Sequence, residues 1–289
     1  MLQCSHAFMN KNYTIGIDIG GTNIKSVLFN GEKVVMDYSL GTPKDSLEHL
    51  IIMLLALIEP LSKKAEQDKV RISGVGLGVP GVVDPFSAKI TDAPNLPILN
   101  NIKLAEILSK RINLPVRMDN DSECFLRAEA TIGSAAKFKN IYGITVGTGI
   151  GGAWWINGDI YYGAHGFSEP GRMIVDFKEQ TTLEAAYHKL TQNNPFNLAM
   201  ENYRGDNLAR RAFEEIGDFL GLACANIINL LDPEAIVFGG GVMASADLFL
   251  PELKKMIEEK VVKTPGKTKI LKSKLGLDAG AIGAALLIN

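Results

Sequence analysis

The sequence predicts an α/β fold built from two related lobes, each with a mixed β-sheet covered by helices. Three observations carry this reading. A strand, a glycine turn and a second strand occur at 13–29, where the turn is Gly20-Gly21-Thr22, and again at 141–155, where it is Gly147-Thr148-Gly149. A further β-branched run, Ala235-Ile-Val-Phe238, enters Gly239-Gly240-Gly241. Helical stretches lie between these segments. β-Branched runs bounded by glycine read as buried strands and tight turns. A length of 289 residues suits two domains at roughly 100–200 residues each.

The first helix is expected over 46–62, mostly apolar and opened by Asp45-Ser46 as N-cap. A short amphipathic helix follows at 104–112. The lobe boundary is placed near 115–119. This gives a small lobe of 10–117, on which 278–289 pack back, and a larger one of 118–277. Residues after Asp121 and residues 183–190 read as helical. The polar stretch 192–207 reads as a surface excursion. Residues 210–231 carry Phe213, Ile216, Leu220, Ala223, Ile227 and Leu230 at helical spacing, a stripe for the core that stops at Asp232-Pro233. Residues 279–287 form a last helix of small residues.

Composition narrows the function classes. Lys+Arg 30 against Asp+Glu 32 gives a net charge of -2, without the basic excess or stripe of a nucleic-acid binder. Hydrophobic residues at 46% and charged residues at 21% are ordinary for a globular protein. The longest apolar run, 50–58, stops at Glu59-Pro60, short of the roughly 20 residues of a membrane span. The opening residues lack the apolar region of a secretory signal. The 3 cysteines form no CxxC, which points to a reducing cytoplasm.

Two segments match GxGxxG: Gly76-Leu-Gly78-Val-Pro-Gly81 and Gly147-Thr-Gly149-Ile-Gly-Gly152. A dinucleotide site needs a helix directly after the glycines. Val-Val-Asp-Pro and Ala-Trp-Trp-Ile follow instead. No GxxxxGK[ST] exists either. Successive N–H groups in a glycine turn can instead bind phosphate as a nest, with Thr22 and Thr148 adding hydroxyl donors. Asp18, just before the first turn, suits Mg²⁺ or its waters.

Asp18-Ile-Gly-Gly-Thr22-Asn-Ile-Lys25 resembles the first phosphate motif of the ROK family of sugar kinases, within the actin/hexokinase superfamily. The resemblance continues in order through Gly78-Val-Pro-Gly81-Val-Val-Asp84, Asp119-Asn120-Asp121, Thr145-Val-Gly-Thr-Gly-Ile-Gly-Gly152 and Gly163-Ala-His-Gly-Phe-Ser-Glu169. It ends with Leu230-Leu-Asp-Pro-Glu-Ala-Ile-Val-Phe-Gly-Gly-Gly241 and Asp278-Ala-Gly-Ala-Ile-Gly-Ala-Ala285. It implies a two-lobed actin/hexokinase-like (ribonuclease H-like) fold with duplicated mixed sheets. It also implies ATP-dependent phosphorylation of a hexose hydroxyl, the 6-OH in a glucokinase-like enzyme, with N-acetylmannosamine or β-glucosides as alternative substrates. ATP and Mg²⁺ are the implied cofactors and a homodimer the implied assembly. Asp121 takes the position of the catalytic base, which accepts the hydroxyl proton, and it also suits a helix N-cap. Gly81, Asn120, Asp121, Glu169 and Glu184 take sugar-binding positions. Asp18, Gly20, Gly21, Thr22, Lys25, Gly147, Thr148, Gly149, Gly240 and Gly241 take phosphate and nucleotide positions, with ATP–Mg²⁺ expected between the two turns.

The chain departs from the family at its zinc motif. The four ligand positions hold Arg172, Val175, Phe177 and Thr182, none of them a zinc donor, so no zinc is expected. Arg172 is read as pairing with Glu169 or Glu184, or as touching sugar, while Val175 and Phe177 pack the loop that zinc would otherwise hold. Glu184 reads as a sugar ligand or as a solvated helix residue. His188, His165, His49, Trp154 and Trp155 match no metal spacing and are read as structural. A sugar-responsive repressor of the same family would need a DNA-binding region before the first strand, for which the sequence ahead of Tyr13 leaves no room. A sugar-binding protein without catalysis is the remaining alternative, against which Asp18, Asn120 and Asp121 all speak.

Overall fold

A computed structural model describes residues 12–166, 168–264 and 266–288. The leader-free reading of the opening residues and the lobe start at 10 lie outside them. The chain forms two compact units. One takes the chain up to Asp121 together with the residues from Ala284 on; the other is Ser122–Gly283.

In the first unit, β1 (Tyr13–Ile19) turns into β2 (Asn23–Phe29), and β3 (Val34–Gly41) adds to the antiparallel side. Helix α1 (Leu47–Gln67) follows, capped by Ser46, whose hydroxyl accepts the His49 N–H. The helix runs through Pro60 to Gln67, beyond the expected end at 62. Leu61 and Ala65 are buried and so anchor this extra stretch. Then β4 (Ile72–Val79) lies parallel to β1. A ribbon of β5 (Val82–Asp84) and β6 (Lys89–Asp92) leads to α2 (Leu104–Ile112) and β7 (Val116–Asn120), parallel to β4. The sheet order is β3-β2-β1-β4-β7. Its core holds Ile15, Ile17, Leu28, Leu54, Leu77 and Leu108.

Helix α3 (Asp121–Thr131) starts at the carboxyl end of β7. In the second unit, β8 (Asn140–Val146), β9 (Ile150–Ile156) and β10 (Asp159–Ile160) are antiparallel neighbours. A ribbon of β11 (Ile174–Asp176) and β12 (Thr181–Thr182) precedes α4 (Leu183–Thr191), α5 (Pro195–Tyr203) and α6 (Asn207–Leu231). Strand β13 (Ala235–Gly239) is parallel to β8, α7 (Leu250–Lys260) follows, and β14 (Lys269–Lys272) is parallel to β13. Helix α8 (Ala279–Ala285) runs on into a short 3₁₀ turn, Leu286–Ile288. The order β10-β9-β8-β13-β14 repeats the first sheet's pattern of an antiparallel meander followed by two parallel strands.

The surface excursion expected at 192–207 is largely exposed and includes a helix, α5, opened by Asn194, whose side chain accepts the Asn197 N–H. Two expectations need correction. Leu230 is 82% exposed. The stripe of α6 continues through Ile227 and Ile228 to Leu231, which packs against the core, and Leu230 falls outside it. Phe177 is 85% exposed while Val175 is buried. The loop is therefore held by the β11–β12 ribbon and by the Leu183 N–H to Met173 carbonyl bond of 2.8 Å, not by Phe177 packing.

Candidate functional site

In the first unit, the candidate residues gather at the carboxyl ends of β1, β4 and β7. Asp18 is the next-to-last residue of β1 and pairs across the hairpin with Lys25 of β2. Loss of solvent around its carboxyl pushes Asp18 up to about 7; the charge of Asp121 adds to the rise, and Lys25 opposes it. Lys25 also lies 4.0 Å from Asp37. The turn Gly20-Gly21-Thr22 closes with the Gly20 N–H bonded to the Asn23 carbonyl at 3.0 Å. Thr42, just past β3, grips the same turn twice. Its hydroxyl donates to the Gly20 carbonyl at 2.7 Å and its N–H to the Thr22 carbonyl at 2.9 Å.

Asn120 is the last residue of β7 and Asp121 the first of α3. The Asn120 side-chain amide donates to the Gly81 carbonyl at 3.0 Å. Gly81 has φ +95, and a Cβ there would strike the Asp92 carbonyl and Ala93 Cα. Only glycine lets the chain turn there and present its carbonyl to Asn120. A carboxylate at a helix N-terminus sits favourably in the field of the helix amides. Lys25 opposes the rise at Asp18 but does not cancel it, since burial and the charge of Asp121 outweigh it. Magnesium is commonly held by one or two carboxylates together with substrate phosphates, so this donor set fits a Mg²⁺ carried by a nucleotide.

In the second unit, the turn Gly147-Thr148-Gly149 joins β8 to β9, and its Gly147 N–H meets the Gly149 carbonyl at 2.9 Å. Glu184 of α4 accepts the Ile150 N–H at 3.2 Å. Its helix is capped by Thr182, which accepts the Ala185 N–H. Gly171 lets Glu184 approach: a Cβ on Gly171 would lie 2.6 Å from the Ile150 carbonyl and 3.3 Å from Glu184 Cβ. Gly240 has φ +89 where β13 ends, and a Cβ there would strike the Val146 carbonyl. Gly241 faces open space. Glu169 precedes the short turn Pro170–Arg172, and its carbonyl accepts the Arg172 N–H at 3.0 Å.

The expected ion pair of Arg172 is absent. Its side chain is exposed, and no carboxylate pairs with it among the described residues. The short turn aims it into solvent. Among the described residues no group of three or more His, Cys, Asp or Glu could hold a metal. Arg172, Val175, Phe177 and Thr182 do not fit a zinc ion. No helix among them is long and apolar enough to cross a membrane.

Sequence reasoning missed Thr42, Tyr187 and His188. The Tyr187 hydroxyl donates to the Gly147 carbonyl at 2.9 Å, and His188 Nε2 lies 2.8 Å from the Thr148 carbonyl. Their spacing of three and four residues from Glu184 on one helix was the available signal.

Known proteins resemble this chain over most of its length. The chain is 30% identical over 304 residues to an N-acetyl-D-glucosamine kinase of Mannheimia succiniciproducens, covering 94% of this chain and 98% of the relative. It is 28% identical to a xylose repressor of Caldicellulosiruptor bescii, covering 85% of this chain and 70% of the repressor. Among solved structures, a ROK hexokinase from Thermus thermophilus matches with TM-score 0.79 at 26% identity, covering 95% of this chain and 97% of the other. A ROK glucokinase from Streptomyces griseus, solved with glucose and AMPPNP, matches in fold with TM-score 0.81 at 24% identity, covering 96% of this chain and 99% of the other. The fold is the actin/hexokinase-like fold of the ROK sugar kinases. Residues 14–289 match the ROK family, and the chain belongs to it.

Proposed function

We propose that this chain is an ATP-dependent sugar kinase that phosphorylates a hexose hydroxyl, the 6-hydroxyl of a glucose-like sugar. The observation that carries the proposal is Asp121, set at the start of α3 beside Asn120 and close enough to Asp18 for its charge to act there. Asn120, fixed by Gly81, orients the sugar, with Glu169 and Glu184 as further hydroxyl acceptors. Asp121 accepts the proton of the attacking hydroxyl. The sugar oxygen bonds to the terminal phosphorus, the bond to the bridging oxygen breaks, and ADP leaves. Catalysis is otherwise positioning and charge neutralisation. Backbone N–H groups of the turns at Gly20, Gly21, Thr22 and at Gly147, Thr148, Gly149 hold phosphate oxygens. Lys25 adds positive charge, and Gly240 and Gly241 leave room for the nucleoside. When bound, Mg²⁺ shields the phosphate charge, held by Asp18 directly or through water.

The family resemblance further supports a homodimer, the cysteine usage supports a reducing cytoplasm, and Arg172, Val175, Phe177 and Thr182 in place of zinc donors support a chain without structural zinc. The sugar is tested by coupled ADP release over glucose, mannose, N-acetylglucosamine, N-acetylmannosamine and a β-glucoside. Turnover with one of them supports the reading, and none with any sugar contradicts it. The match to a xylose repressor favours one rival, a sugar-binding regulator. That rival predicts sugar binding by calorimetry without ADP release.

A further inference from the structure

The turn at Gly147-Thr148-Gly149 is gripped from one side by a single helix. Glu184, Tyr187 and His188 lie at positions i, i+3 and i+4 of α4, one face of that helix. Glu184 takes the Ile150 N–H, Tyr187 donates to the Gly147 carbonyl, and His188 donates from Nε2 to the Thr148 carbonyl. A carbonyl partner at 2.8 Å selects the tautomer with hydrogen on Nε2. Tyr187 is 3% exposed, and burial pushes its phenol well above the ordinary value, so it remains a donor.

Peptide geometry gives these bonds a consequence. No cis peptide occurs among the described residues. In a trans unit the carbonyl and the following N–H point in opposite directions. Drawing the Gly147 carbonyl toward Tyr187 therefore turns the Thr148 N–H away from α4. Drawing the Thr148 carbonyl toward His188 does the same for the Gly149 N–H. The turn's flanking donors are already used, Gly147 by Gly149 and Ile150 by Glu184. Among the described residues neither the Thr148 nor the Gly149 N–H has an acceptor. Thr148 is exposed, and a Cβ on Gly147 would meet nothing. Two adjacent N–H donors facing open space suit the oxygens of a polyphosphate.

We propose that Tyr187 and His188 are positioning residues, which aim the Thr148 and Gly149 N–H groups at a nucleotide's phosphates by holding the carbonyls behind them. Glu184 extends this device. One of its oxygens is tied to Ile150, and the other has no donor among the described residues, so the same helix can bear on sugar and phosphate at once. The proposal rests on the kinase reading.

The test measures binding by calorimetry on the full chain for ATP–Mg²⁺, tripolyphosphate and adenosine, with kcat and both KM values alongside. Tyr187→Phe should weaken ATP binding about 2–10-fold, the range for one lost hydrogen bond. Tyr187→Phe with His188→Leu should weaken ATP and tripolyphosphate on the order of 10–100-fold, while adenosine affinity and sugar KM stay near wild type. His188→Gln, which keeps a donor of similar reach, should restore most of the loss seen in His188→Leu. Should the double variant fail to fold, Tyr187→Phe and His188→Gln against His188→Leu carry the comparison. ATP and sugar constants rising together with a falling Tm would mark packing residues and overturn the inference. So would ATP and tripolyphosphate affinities that do not move in these variants while the wild type turns over sugar. A wild type that binds neither ATP nor tripolyphosphate would overturn the kinase reading together with this one.

Discussion

The two glycine turns do the same geometric job with different materials. Gly20-Gly21-Thr22 is held from within its own sheet by Thr42, whose hydroxyl and N–H take two carbonyls. It stands beside ionisable groups, Asp18 and Lys25. Gly147-Thr148-Gly149 is held by side chains of α4, about 40 residues further along the chain. The hydrogen bonds that hold its carbonyls come from a phenol and an imidazole. The first turn is thus held from the end of its own sheet by one residue, Thr42, and tuned by charge, while the second depends on a remote helix. Substitutions at the first should register in stability and pH dependence. At the second they should register in nucleotide affinity.

A matched alanine pair should give the largest contrast. A Cβ on Gly20 would lie 2.9 Å from the Asn23 carbonyl that closes the turn, whereas one on Gly147 meets nothing. Gly20→Ala should cost about 1–3 kcal/mol in denaturant unfolding. Gly147→Ala should stay within about 0.5 kcal/mol yet raise the ATP KM about tenfold or more, since its methyl occupies the phosphate's approach. Equal stability losses would erase the distinction.

Asp18 sharpens the electrostatic half. Its folded pKa of about 7 lies above the ordinary 3.8. The folded state therefore holds a proton that the unfolded chain releases. That favours folding at low pH, and the benefit is lost as pH rises from about 4 to 7. Asp18→Asn should raise the Tm at pH 8, with a gain on the order of 1 kcal/mol after screening that vanishes near pH 4. The same variant should lose Mg²⁺-dependent turnover. A gain independent of pH would contradict the burial argument.

The smallest effect is expected at Thr42. Thr42→Val removes the hydroxyl bond to Gly20 but keeps the backbone bond to Thr22, so stability should fall by about 0.5–1.5 kcal/mol with a few-fold change in ATP KM. A larger loss of affinity than in Tyr187→Phe would reverse the assignment of which turn depends on side chains.

The sequence revealed most of what is local. Glycine-bounded β-branched runs located both hairpins, and apolar spacing located α2 at Leu104–Ile112. The Asn120-Asp121 pair stood out only through family resemblance, since Asp121 alone reads equally well as a helix cap. Features decided by distant contacts were hidden. The exposure of Leu230 and Phe177 depends on which neighbours reach them, and periodicity carries no such information. His188 read as structural and Tyr187 drew no reading, because their partners are carbonyls of a turn far away in sequence. Thr42 gave no signal, because its role follows from the register of β2 with β3.

The most direct measurement of the central claim is Asp121→Asn, assayed by ADP release on the preferred sugar with sugar affinity measured by calorimetry. The account predicts a loss in kcat of about 10²–10⁴-fold, with sugar affinity and Tm close to wild type. Near-wild-type kcat in this variant would leave Asp121 as a helix-terminal residue and contradict its role as the base.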